Sequence, residues 1–174
     1  MGIAVAILSG LVLAVAAPWL HRLARAAASW LIALLPLGLA VYFATFHRHL
    51  AGDGAVTLSY SWVPSLGVNL SFYVDGLSLL FAVLISGIGA LVIVYAGGYL
   101  AGHPQLGRFY SLILAFMAAM LGVVLAGNVI TLFVFWELTS LTSYLLIGFD
   151  HGRAASRSAA LQALLVTGTG GLAL

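Results

Sequence analysis

Long apolar runs separated by short polar or glycine-containing breaks dominate the chain. They cover residues 3–20, 27–46, 77–101, 109–126, 128–149 and 158–174. A membrane-spanning helix needs about 20 apolar residues, so five runs predict full spans and the last, reaching Leu174, an incomplete sixth. The first run ends around Pro18, His21 and Arg22 and has no basic residue before it, which argues against a cleaved signal peptide. Pro36 lies inside the second span and predicts a kink, since neighbouring helices can satisfy the freed carbonyls. Residues 108–149 are apolar for too long to form one helix, and Gly127-Asn128 is the natural break.

Residues 47–76 follow another pattern. His47, Arg48, His49, Gly52, Asp53 and Gly54 predict a polar turn. Then Val56, Leu58, Tyr60 and Trp62 alternate with polar residues, and Val68, Leu70, Phe72 and Val74 alternate again after Pro64 and Gly67. Alternation of period two on both sides of such a break predicts a β-hairpin over 55–75. It is too polar to cross lipid and belongs on a membrane surface. Asp75, followed by Gly76, is placed to cap the third span. Gly98 and Gly102 are four apart, which suits either close helix packing or plain membrane-helix glycine.

Composition narrows the class. Hydrophobic residues make up 64% and charged residues 6%, where a soluble domain carries about 25% charged residues. The fold class is an all-α polytopic membrane protein in one domain, with the hairpin between helices 2 and 3. Net charge is +2, too small and too scattered for nucleic-acid binding. There is no cysteine, which excludes thiolate metal and iron–sulfur sites. The five histidines lie in or beside loops, so no pair faces inward to hold a membrane haem, and His47, His49 and Asp53 read as a solvated loop rather than a metal site. No cofactor is expected.

With five spans before Asp150, loops one, three and five share a side and hold Arg22, Arg25, Arg108, Arg153 and Arg157. Only Arg48 falls on the other. The positive-inside rule then predicts an N-terminus and hairpin outside the cytoplasm.

One residue carries the chemistry. Glu137 is the only glutamate in the chain, and no other charged residue or histidine falls between Phe109 and Phe149. At about 1.5 Å per residue it lies roughly 14 Å and 18 Å from the ends of the 128–149 run. A central acid costs about 2.5–3.5 kcal/mol to insert, so its presence points to a task, either as a buried hydrogen-bond partner or as a proton or cation carrier. A low-dielectric site disfavours the charged carboxyl and a nearby cation favours it, so a movable cation would make a proton switch. The chain has no lysine, and every arginine sits near a span end. The cation must come from beyond Leu174, from another subunit or from a bound ion. At 100° per residue, Ser140 and Tyr144 share a stripe with Glu137, a possible polar path, while Thr139, Thr142 and Ser143 form a second stripe. The alternative is that these hydroxyls bond back to their own helix carbonyls. The run Thr167-Gly168-Thr169-Gly170-Gly171 lacks the spacing of a phosphate-binding motif and reads as helix-packing glycine.

Phe135-Trp136-Glu137-Leu138-Thr139-Ser140-Leu141-Thr142-Ser143-Tyr144 resembles the fifth-helix signature of the large antiporter-like membrane subunits. These occur in Mrp-type multisubunit cation/proton antiporters and in the membrane arm of complex I. Val74-Asp75-Gly76-Leu77-Ser78-Leu79-Leu80-Phe81 resembles the start of their third helix, and residues 160–172 are closer to the pattern of the A-type subunits of Mrp antiporters. The resemblance implies a fold of about fourteen helices with two inverted repeats, of which this chain would be the N-terminal portion. It implies that Glu137 transfers protons and pairs with a lysine on a later helix. It further implies Na⁺ and H⁺ as the transported ions, a hetero-oligomeric complex in the plasma membrane, and a secondary transporter rather than an enzyme. A proton-translocating subunit of an NADH:quinone oxidoreductase is the alternative, and an assembly subunit with Glu137 as a packing contact is a third.

Overall fold

The structure is a computed structural model that describes residues 2–173, apart from the side chains of residues 26, 47–53 and 66. Helix α1 covers Gly2–Ala24 and α2 covers Ala28–Asp53. Strands β1, Val56–Val63, and β2, Val68–Val74, form the hairpin. Helices α3, Gly76–Tyr99, α4, Leu106–Val124, α5, Val129–Ile147, and α6, Ala154–Leu172, follow. Among the described residues five helices, α1 to α5, are long and apolar enough to cross a membrane. Helix α6 carries Arg157, Gln162 and several hydroxyls and is less apolar.

Two helix ends differ from the sequence reading. Helix α1 runs through Pro18 to Ala24, and α4 packs closely on it there: a side chain at Gly107 would meet the Pro18 backbone at 3.2 Å. Helix α2 does not give way to a polar turn after residue 46. Its apolar part ends at Phe46, but the helix continues to Asp53 and stops only at Gly54, whose φ of +72° suits glycine. The backbone of 47–53 carries no breaker before Gly52, so polarity alone does not end the helix. The side chains of His47, His49 and Asp53 lie outside the described residues.

Helix α1 packs against α2 and α4, α2 against α3, α4 against α5, and α5 against α6. Ile7, Ile32, Ile93, Tyr110, Leu114 and Leu121 are buried at the centre. The close approaches are made by small residues, as expected where lipid supplies no hydrophobic drive between helices. A side chain at Gly10 would meet Ala118, one at Gly89 would meet Met117, and one at Gly97 would meet Ser29. Gly98 makes no such contact, and Gly102 lies beyond the end of α3 in a turn at φ +81°, so the pair is neither a close-packing motif nor, at Gly102, a membrane-helix glycine. The outer surface is apolar: Val12, Leu23, Leu91 and Tyr99 are all exposed.

The hairpin pairs antiparallel from Val56↔Val74 to Val63↔Val68. Its inward residues Phe72 and Val74 are buried, as the alternation predicts. It also fixes where α5 begins. Tyr73 N donates to Leu125 O at 2.9 Å, and Gly127 N donates to Ser71 O at 2.7 Å. Ser71 N donates to Thr131 Oγ1 at 2.9 Å, and Asn128 Nδ2 to Asn69 O at 2.8 Å. A side chain at Gly127 would lie 3.1 Å from the Ser71 and Phe72 backbone, so the turn needs glycine. Asn128 caps α5 by accepting from Thr131 N at 2.7 Å.

Asp75 caps α3 through a reciprocal pair: it accepts from Ser78 N at 2.8 Å, and its own N donates to Ser78 Oγ at 2.8 Å. The backbone and side-chain hydrogen bonds of Ser78 hold its carboxyl below the usual range. The cap therefore stabilises α3 above the ordinary carboxylate pKa and loses that contribution as pH falls through the lowered value.

Candidate functional site

The cap at Asn128 and the hairpin beneath it set the depth of α5. Glu137 then lies about 12 Å from Val129 and about 15 Å from Ile147 along the axis, well inside the apolar span. Its side chain turns toward α6. A side chain at Gly171 would collide with Glu137 Oε1 and would come within 3.1 Å of the Trp136 ring. The carboxyl thus occupies the space that a glycine on α6 leaves open. Glu137 as a residue is half-buried, but Oε1 is enclosed and has no hydrogen-bond partner among the described residues, and Trp136 Nε1 is in the same condition. An orphaned buried acceptor and an orphaned buried donor meeting at one glycine is uncommon, because buried polar groups are nearly always paired. Among the described residues the one ion pair, Arg153 Nε to Asp150 Oδ2 at 3.9 Å, is exposed and far along the chain from this position.

Three hydroxyls of α5, those of Thr139, Ser140 and Thr142, are turned to their own helix. Ser140 is buried and donates to Trp136 O at 3.1 Å. Thr139 donates to the same carbonyl at 2.7 Å, and Thr142 donates to Leu138 O at 2.8 Å. Tyr144 is half-buried and lines a crevice of about 150 Å³ with Arg108, His151 and Arg157. The structure therefore brings Glu137 to Gly171 and Tyr144 to the arginine-rich end, and it ties Ser140 to the helix backbone. Trp136 and Gly171 are the neighbours that sequence reasoning missed. The glycine run on α6 was visible, but nothing in a single sequence aligns it with Glu137.

A bundle of apolar helices with an enclosed carboxyl oxygen at mid-span, among the described residues, defines the class: a polytopic helical membrane protein. The comparisons then identify the family. Residues 61–110 match the family described as NADH-ubiquinone oxidoreductase (complex I), chain 5 N-terminus, and residues 126–174 match NADH:quinone oxidoreductase/Mrp antiporter, TM. The chain is 44% identical over 171 residues to the A1 subunit of a Na⁺/H⁺ antiporter of Staphylococcus aureus, covering 98% of this chain and 21% of the relative. It superposes on the Mrp complex of Dietzia sp. DQ12-45-1b with a TM-score of 0.84 at 36% identity, over 99% of this chain and 18% of that one. An archaeal membrane-bound sulfane sulfur reductase shares the fold, with a TM-score of 0.75 at 20% identity over 97% of this chain and 34% of that one. This chain belongs to the antiporter-like membrane-subunit family, on the side of the A-type Mrp subunits. It spans about a fifth of the length of the curated relatives it matches. Those relatives are antiporter subunits, which are secondary transporters and not enzymes.

Proposed function

We propose that this chain forms part of a subunit that exchanges Na⁺ for H⁺ across the plasma membrane, within a complex of several different subunits. Glu137 is the protonatable group of the ion path. The observation that carries this reading is its enclosed, unpartnered Oε1 at mid-span beside Gly171. An acid kept there at a cost of about 2.5–3.5 kcal/mol, with no hydrogen bond to justify it among the described residues, fits a site whose partner changes during transport. A lysine or another cation from outside this chain would favour the charged form, and its withdrawal would favour proton uptake. The crevice at Tyr144 lies near the arginine-rich end, about 10 Å along the axis from Glu137.

The test is a sodium pulse given to everted membrane vesicles that hold the full complex and an imposed pH gradient. Collapse of the gradient on sodium addition is expected; an unchanged gradient would contradict the reading. The family descriptions also support a second reading, a proton-translocating subunit of an NADH:quinone oxidoreductase. NADH-oxidising partners in the purified complex would decide for it.

Orientation is part of the proposal. Arg22, Arg25 and Arg108 line one cavity and Arg108 and Arg157 another, so loops one, three and five gather at one end of the bundle. That end is assigned to the cytoplasm, with the N-terminus and hairpin outside. A cysteine placed at Gly54 should react with an impermeant thiol reagent applied from outside; reaction from the cytoplasmic face alone would reverse the assignment.

A further inference from the structure

A cavity of about 880 Å³ lies where α1 ends, α2 begins, α3 ends and α4 begins. Arg22, Arg25 and Arg108 line it together with His21, His103 and Gln105, and no carboxylate does. Arg22 and Arg25 have no acidic partner among the described residues, and Arg108 Nη1 donates only to the neutral Gln105 Oε1, at 3.3 Å. His21 Nδ1 is enclosed and also has no hydrogen-bond partner among the described residues. Arg25 has a φ of +41°, the one positive value among described non-glycine residues. L-residues rarely adopt that conformation, and such strain clusters at binding sites.

The surroundings say what kind of anion fits. Trp19, Trp30, Tyr95 and Tyr99 sit on the same end of the bundle and are 59%, 66%, 66% and 74% exposed. Tyr95 and Tyr99 stack with ring centroids 5.5 Å apart. Exposed Trp and Tyr at span ends mark the level of lipid head groups. Leu23, beside Arg22, is 83% exposed. Guanidinium groups bind phosphate by paired N–H donors, and basic pockets between helices suit anionic head groups. The aromatics do not line the cavity, but they set its depth: its arginines lie at the level where the phosphates of anionic lipids lie.

We infer that this cavity is a binding site for the head group of an anionic phospholipid in the leaflet at the arginine-rich end. The experiment uses the full-length protein in its complex, purified into nanodiscs of phosphatidylcholine with or without phosphatidylglycerol, with retained lipid counted by native mass spectrometry. The wild-type complex should retain phosphatidylglycerol over phosphatidylcholine. Arg22→Gln and Arg108→Gln should each weaken retention about fivefold, and Arg153→Gln, which lies off the cavity, should leave it unchanged. Should the arginine variants fail to assemble, Gln105→Glu adds an acid to the cavity wall without removing a cation and should weaken retention likewise. Equal retention of the two lipids, or retention unmoved by Gln105→Glu, would overturn the proposal. Displacement of the lipid by millimolar inorganic phosphate would assign the site to a soluble anion instead. A photocrosslinker at Ala101 that captures polypeptide rather than lipid would assign it to a neighbouring protein segment, and would also overturn it.

Discussion

Glu137→Gln is expected to lower sodium-driven proton exchange about a hundredfold or more while the complex still assembles. Glutamine keeps the length and shape of the side chain and its carbonyl oxygen but cannot bind and release a proton. A purely structural role gives the opposite expectation. Oε1 has no hydrogen-bond partner among the described residues, so glutamine would break no contact there. Removing a mid-span acid would also relieve an insertion cost of about 2.5–3.5 kcal/mol. If Glu137 only packs, the variant should therefore assemble at least as well and exchange normally. The sodium-pulse measurement in vesicles, with complex assembly checked on the same membranes, separates the two outcomes.

Gly171→Ala is the second substitution with a large expected effect, and it acts without touching an ionisable group. Alanine in place of glycine inside a helix gains about 1 kcal/mol in propensity. Its methyl would collide with Glu137 Oε1 and crowd the Trp136 ring, which stands 3.1 Å from the new atom. Overpacking costs about 1–3 kcal/mol where neighbours are rigid. Here the nearest atom is the tip of a flexible side chain, so the carboxyl moves and the helices stay. The expected result is normal assembly with exchange reduced about tenfold, since a misplaced proton carrier loses much of its positioning advantage. Gly168→Ala is the control: it lies one turn earlier on α6 and a side chain there would meet nothing within 4 Å. Equal exchange in the two variants would show that Gly171 does not hold the carboxyl in place.

Much of the fold was legible because lipid simplifies the problem. Five spans follow from run length and the break at Gly127-Asn128, the hairpin from period-two alternation between Val56 and Val74, and the cap of α3 from Asp75, whose short side chain sits just before an apolar run; the cap that Asn128 makes on α5 emerged only in the structure. Helix ends were less legible. His47 and Arg48 look like the end of a helix, yet a helix can leave the apolar layer and continue until glycine stops it, as α2 does at Gly54.

The site was half legible. A lone acid in a long apolar run identifies Glu137, and arginine counting anticipates that Arg22, Arg25, Arg108 and Arg157 gather at one end. What faces Glu137 was hidden, because the register of α6 against α5 is set by packing across both helices and not by either sequence. For Ser140 the sequence left a path and a backbone hydrogen bond both open; the hydroxyl is found on Trp136 O. The strained φ of Arg25 had no sequence signal at all, since arginine has no preference for that conformation.

The most direct measurement of proton carriage is infrared difference spectroscopy of the reconstituted complex on sodium addition, compared between wild type and Glu137→Gln. The expected result is a protonated-carboxyl band that changes when sodium is added to the wild-type complex and is missing from the variant. A band that changes identically in both proteins would show that another group carries the proton, and would contradict the role assigned to Glu137.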